Sequence, residues 1–125
     1  MSRILIVEDN PTNMQFVVTV LENAGYWVLQ AGDAATGIRI ARETRPDLIF
    51  MDIQLPGMDG LEASRLLKAD ENTRAIPIYA LTAFAMKGDE EHIRAAGCDG
   101  YLAKPVSYKD LLATAATVGA ASRPR

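Results

Sequence analysis

Leu48-Ile49-Phe50-Met51-Asp52 is followed, seven residues later, by Asp59-Gly60-Leu61-Glu62. Four consecutive apolar residues suit a short strand buried on both faces of a parallel sheet. Asp59 with Glu62 three positions on has the form of a helix start, a cap and its capping-box partner. The stretch reads as strand, acidic strand end, loop and helix. The same order recurs on both sides of it. Ile4-Leu5-Ile6-Val7, Trp27-Val28-Leu29, Ile78-Tyr79-Ala80-Leu81 and Tyr101-Leu102-Ala103 are further short apolar runs. Between them, Met14, Val17, Val18 and Leu21 recur at helical spacing behind Asn10 as a cap and Pro11 in the first turn, with Gly25 as the stop. A second helix runs from an Asp33 cap through Ile38 and Ala41 and stops before Arg45-Pro46. A fourth covers Lys87 to Ala96, ended by Gly97, and a fifth starts at a Ser107 cap with Asp110 at the capping-box position. Five βα units imply an α/β fold, a doubly wound parallel sheet with helices on both faces and strand order 2-1-3-4-5.

The 125 residues amount to one domain, spanning 1–119, with 120–125 reading as a frayed tail. A folded chain of this size exposes about 6,600 Å², roughly a third of its unfolded surface, so it can bury a core without disulfides. Apolar residues make up 49% and charged residues 23%, too apolar for disorder. No apolar run approaches the ~20 residues of a bilayer span, and the first run ends too soon and in acids, so neither membrane insertion nor an export signal is expected. One cysteine, Cys98, makes neither an internal disulfide nor a Cys-based zinc site. These features point to the cytoplasm. A net charge of −3 and a pI near 5.1 argue against nucleic acid as a partner.

In a sheet of this order the ends of strands 1 and 3 are neighbours, and ligands bind beyond the carboxyl ends of the strands. Strand 1 ends in Glu8-Asp9 and strand 3 in Asp52, so three carboxylates crowd one crevice. Two such charges ~4 Å apart repel by about 4 kcal/mol at an effective dielectric near 20. A compensating cation or a raised pKa must follow. Hard oxygen ligands with open positions suit Mg²⁺. Strand 4 ends in Thr82 and strand 5 leads to Lys104, which bring a hydroxyl and a positive charge to the same place. Asp, Thr, Lys and a metal are the parts for phosphoryl transfer to a carboxylate nucleophile. The sequence leaves open whether the Lys104–Pro105 bond is cis or trans.

Four motifs in order carry a family resemblance: Ile6-Val7-Glu8-Asp9-Asn10, Met51-Asp52-Ile53-Gln54-Leu55-Pro56-Gly57-Met58-Asp59-Gly60, Leu81-Thr82-Ala83 and Gly100-Tyr101-Leu102-Ala103-Lys104-Pro105. Over residues 2–119 the chain resembles the receiver domains of two-component response regulators, which have a flavodoxin-like fold. Asn13-Met14 and Ala83-Phe84-Ala85-Met86-Lys87-Gly88-Asp89-Glu90-Glu91 look like DivK-type single-domain regulators. The resemblance implies Asp52 as phosphoacceptor and Mg²⁺ held by Glu8, Asp9, Asp52 and the backbone carbonyl of Gln54, with Glu8 acting through water. It implies Thr82 with Ala83, Tyr101 and Lys104 as the phosphate-binding and switch residues. It also implies a histidine kinase or histidine phosphotransfer protein as donor, a downstream protein target, and no enzymatic activity beyond the domain's own phosphorylation and dephosphorylation. Asn10, Pro11, Met14, Pro105 and Val106 look like a kinase-docking rim, and Phe84 and Met86 are candidates for an output surface.

His92 reads as a solvated helix residue, Cys98 as small packing, and Trp27 and Phe50 as core. The fold consumes the chain, so no output domain is expected, and the start at Met1 favours a free-standing protein over a receiver excised from a hybrid sensor kinase. A small-molecule phosphatase of the haloacid dehalogenase type would want an acid two residues after the nucleophile, where Gln54 stands. A flavin mononucleotide binder would need a phosphate loop after strand 1, where Glu8-Asp9 would repel the phosphate.

Overall fold

The computed structural model of the protein describes residues 2–83 and 87–122. Five strands and five helices alternate: β1 Arg3–Val7, α1 Pro11–Asn23, β2 Trp27–Ala31, α2 Ala34–Thr44, β3 Leu48–Asp52, α3 Gly60–Ala69, β4 Ile78–Thr82, α4 Lys87–Ala95, β5 Gly100–Ala103 and α5 Tyr108–Ser122. All pairings are parallel, in the order β2-β1-β3-β4-β5. Total exposed surface is 6806 Å², close to the scaling expected for this length.

Period-two alternation divides the core between the two faces of the sheet. Ile4, Ile6, Leu48, Phe50 and Leu81 pack against Met14, Val17, Val18 and Leu21 of α1 and Leu111, Ala115 and Val118 of α5. Leu5, Val7, Ile49, Met51, Ile78 and Ala80 face α2, α3 and α4 through Ile38, Ala41, Ala63, Leu67 and Ile93. Every residue of β3 is buried, because β3 lies at the centre of the sheet.

The helix starts follow the local signals. Asn10 Oδ1 accepts from the Asn13 N–H at 3.0 Å, Asp33 Oδ1 from Thr36 N–H at 2.7 Å, Asp59 Oδ1 from Glu62 N–H at 2.8 Å and Ser107 Oγ from Asp110 N–H at 3.1 Å. After α1, Gly25 takes φ +94°, and after α4, Gly97 takes φ +96°. Arg45 ends α2 in the left-handed region, φ 45°, with its N–H on the Ala41 carbonyl.

One expectation fails. Trp27, expected in the core from its apolar run, is 61% exposed. It opens the edge strand β2, at the end of the sheet opposite the carboxyl ends, where no neighbouring strand covers its outer side. Helix α5 runs to Ser122, and 123–125 lie outside the described residues. Phe50 is fully buried, Cys98 is buried and His92 is exposed, as expected.

Candidate functional site

The carboxyl ends of β1 and β3 are in register, with Val7 beside Met51, so the residues that follow them meet. Glu8, Asp9 and Asp52 each place a carboxylate oxygen within 4.8 Å of the others. Glu8 and Asp52 are each only 2% exposed, whereas Asp9 faces solvent. β4 ends beside β5 with Thr82 in register with Ala103, and the Lys104 N–H donates to the Thr82 carbonyl at 2.7 Å. That bond anchors Lys104 at the sheet edge, and the Lys104–Pro105 peptide is cis.

Lys104 Nζ donates to Asp52 Oδ2 at 3.0 Å, while the Gln54 N–H donates to Asp52 Oδ1 at 2.9 Å. Both oxygens of Asp52 are thereby held in a fixed plane. Glu8 is held less completely. Its Oε2 accepts from the Asn10 N–H at 3.1 Å. Its Oε1 lies 3.1 Å from Lys104 Nζ, an ion-pair distance, yet has no aligned hydrogen-bond partner among the described residues. Burial, reinforced by the neighbouring Asp52 carboxylate, pushes the Glu8 carboxyl up to about 7 against the lowering pull of the Asn10 N–H and Lys104. Burial would lower the Lys104 ammonium, but Asp52 and Glu8 outweigh it and hold the group above its ordinary value.

The donor set fits a hard divalent cation. Three clustered carboxyl groups face one ammonium, and one buried oxygen, Glu8 Oε1, has no hydrogen bond among the described residues. Lys104 already bridges Glu8 and Asp52, so it neutralises part of the charge in the absence of metal.

Thr82 is fully buried at the end of β4, and Ala83 beside it is exposed. Tyr101 is half-buried on the edge strand β5 and packs against the α2–α3–α4 side of the core. Asn10, Pro11 and Pro105 are exposed around the crevice, and Val106 is half-buried. Met14 corrects the expected docking rim. It is 8% exposed and belongs to the core-facing stripe of α1. Phe16, two residues on and therefore off that stripe, is 43% exposed instead. With Asn13, Val17, Leu81, Ala83, Pro105 and Val106 it lines a cavity of about 380 Å³ that opens beside Glu8 and Lys104. Helical spacing alone marks Phe16 as outward-facing, a signal present in the sequence. Phe84 and Met86 lie outside the described residues.

Among the described residues, no helix is long and apolar enough to cross a membrane. The profile of the response regulator receiver domain matches residues 4–116. The polar-differentiation response regulators DivK of Brucella anthropi and Brucella ovis are each 48% identical over 111 residues, 89% of this chain and 90% of theirs. Among solved structures, the magnesium-bound receiver domain of the sensor histidine kinase PA1611 of Pseudomonas aeruginosa superposes with a TM-score of 0.87 at 41% identity, covering 94% of this chain and 98% of that one. The chemotaxis response regulator CheY4 of Vibrio cholerae gives 0.89 at 30% identity, with the same coverage. A profile match across nearly the whole chain, relatives of this similarity and an acidic crevice at the strand ends place the chain in the response regulator receiver domain family.

Proposed function

We propose that Asp52 accepts a phosphoryl group from the phosphohistidine of a histidine kinase or histidine phosphotransfer protein, and that the domain signals by binding a protein target in its phosphorylated state. As a receiver domain the chain is a phosphoacceptor switch rather than a classical enzyme. One observation carries the assignment: the buried Asp52 carboxylate is gripped by the Gln54 N–H on one oxygen and by the Lys104 ammonium on the other, within a cluster of acids.

The chemistry follows from that grip. A carboxylate oxygen of Asp52 attacks phosphorus, the P–N bond breaks, and its electron pair stays on the imidazole nitrogen, which takes up a proton. The product is an acyl phosphate, open to hydrolysis and therefore transient. Glu8, Asp9 and Asp52, with the Gln54 carbonyl, would hold a Mg²⁺ ion, which would supply positive charge against the phosphoryl oxygens when bound. Lys104 exchanges its bond to Asp52 for one to a phosphoryl oxygen. Thr82, with the exposed Ala83 beside it, offers a hydroxyl and a backbone N–H to another. A new bond at Thr82 favours an inward position for the half-buried Tyr101, which shifts a two-state equilibrium in the surface around β5. Moving such a population from 1:99 to 99:1 takes about 5.5 kcal/mol of differential interaction, and a partial shift takes less.

The docking rim in this reading comprises Asn10, Pro11, Pro105 and Val106 with Phe16 replacing Met14, and the output surface includes Phe84 and Met86. We assign the receiver unit to residues 1–119 and the protein to the cytoplasm, with a DivK-like role. The test is phosphate incorporation from a phosphorylated kinase, separated on phosphate-affinity gels. Wild type shifts and Asp52→Asn does not. An Asp52→Asn protein labelled at the wild-type rate ends the assignment.

A further inference from the structure

Gly60, the first residue of α3, lies against the backbone of the phosphoacceptor. A Cβ built on it would collide with the Asp52 carbonyl oxygen and sit 2.7 Å from Ile53 Cα and 2.9 Å from the Asp52 carbonyl carbon. Real Cβ atoms do not approach backbone this closely, and backbone in a central strand cannot yield as a side-chain tip can. The Gly60 N–H also donates to the Ile53 carbonyl at 3.2 Å. The loop from Ile53 to Asp59 is thus tied off where it leaves β3 and where it enters α3.

That loop carries Gln54, whose N–H holds Asp52 Oδ1. Resting on the reading of Asp52 and its neighbours as a Mg²⁺-dependent phosphoacceptor site, we propose that Gly60 is a positioning residue for that site. Its bare Cα lets α3 close on the Asp52–Ile53 peptide and thereby sets the height of the Gln54 backbone at the crevice. The other crowded glycines press on side chains instead: Gly37 on Val7, Gly97 on Lys68 and Gly100 on the ring of Tyr79. Crowding against the peptide of a site residue is confined to Gly60 among the described residues.

The test compares wild type, Gly60→Ala and Gly100→Ala by calorimetric titration with Mg²⁺ alone, each with its thermal midpoint. Gly100→Ala also overpacks a buried position, but at the amino end of β5. Gly60→Ala is expected to bind Mg²⁺ about tenfold to a hundredfold more weakly, the usual effect of disturbing groups that orient metal ligands. Gly100→Ala is expected to bind as wild type does, whatever its midpoint. Equal affinity in all three proteins, or equal weakening in both variants, overturns the proposal and leaves the site assignment standing. A wild type that binds no Mg²⁺ overturns the site assignment and the proposal together. Should Gly60→Ala fail to fold, amide exchange in wild type decides. Mg²⁺ is expected to slow exchange of the Gly60 N–H and leave that of Gly100 unchanged, and an unaffected Gly60 refutes the role.

Discussion

Glu8 is the carboxylate whose surroundings depart furthest from water. It is buried, its Oε1 has no hydrogen bond among the described residues, and its carboxyl is pushed up to about 7 from a reference of 4.5. The folded state therefore holds a proton on Glu8 that the unfolded chain releases as pH rises above 4.5. By linkage, this group's contribution to stability falls as pH rises through the interval from 4.5 to about 7 and is level above it. In EDTA, the urea midpoint of wild type is expected to fall between pH 5.5 and 8. In Glu8→Gln, which keeps the shape without the titration, the fall should be much smaller. A wild-type midpoint that rises over this range, or identical profiles for the two proteins, contradicts the placement of Glu8. The acidity of the strand end was readable in the sequence. The unequal treatment of two buried acids was not, since it depends on which oxygen faces Lys104 and which faces a backbone N–H.

Elements were legible where their signals are local. The four caps at Asn10, Asp33, Asp59 and Ser107 act over three residues, so they can be found without the fold. Replacing Asp59 by Ala is expected to cost about 1 kcal/mol in urea unfolding, the ordinary worth of a cap. A destabilisation several times larger would mean that Asp59 supports the β3–α3 loop beyond capping α3. Amphipathic spacing likewise places Met14 inside and Phe16 outside on α1. Met14 belongs to that inward stripe even though the family resemblance also puts its position near the docking rim. Trp27 is the opposite case. Its apolar run does mark a strand, but strand periodicity does not say whether the strand is an edge.

For the whole molecule, folding gathers like charges in the acid cluster, and Lys104 offsets part of the repulsion. On the proposed reading, Mg²⁺ binding only the folded site would stabilise the protein by about 2.7 kcal/mol at a free concentration one hundred times its Kd. The thermal midpoint is expected to rise with Mg²⁺ concentration in wild type. In Asp52→Asn, which removes one ligand charge, the rise should be smaller. A midpoint indifferent to Mg²⁺ would argue that Lys104 alone balances the site. The cavity beside Glu8 and Lys104, walled by Phe16, Val17, Leu81, Pro105 and Val106, gives the same crevice an apolar margin.

The sequence by itself determined the alternation of five strands and five helices, the caps, and the acids, hydroxyl and lysine at the strand ends. Each of these rests on periodicity or on hydrogen bonds between residues a few positions apart. Only the tertiary structure decided how Lys104 divides itself between Glu8 and Asp52, which side chains of the crevice are buried, and that Gly60 touches the peptide of Asp52. The division of Lys104 depends on strand order and register, which bring together groups up to 96 positions apart in the chain, as with Glu8 and Lys104, while the Gly60 contact depends on how α3 packs back on the end of β3. Contacts over such separations arise from packing the whole sheet and its helices, and no local run of residues encodes them.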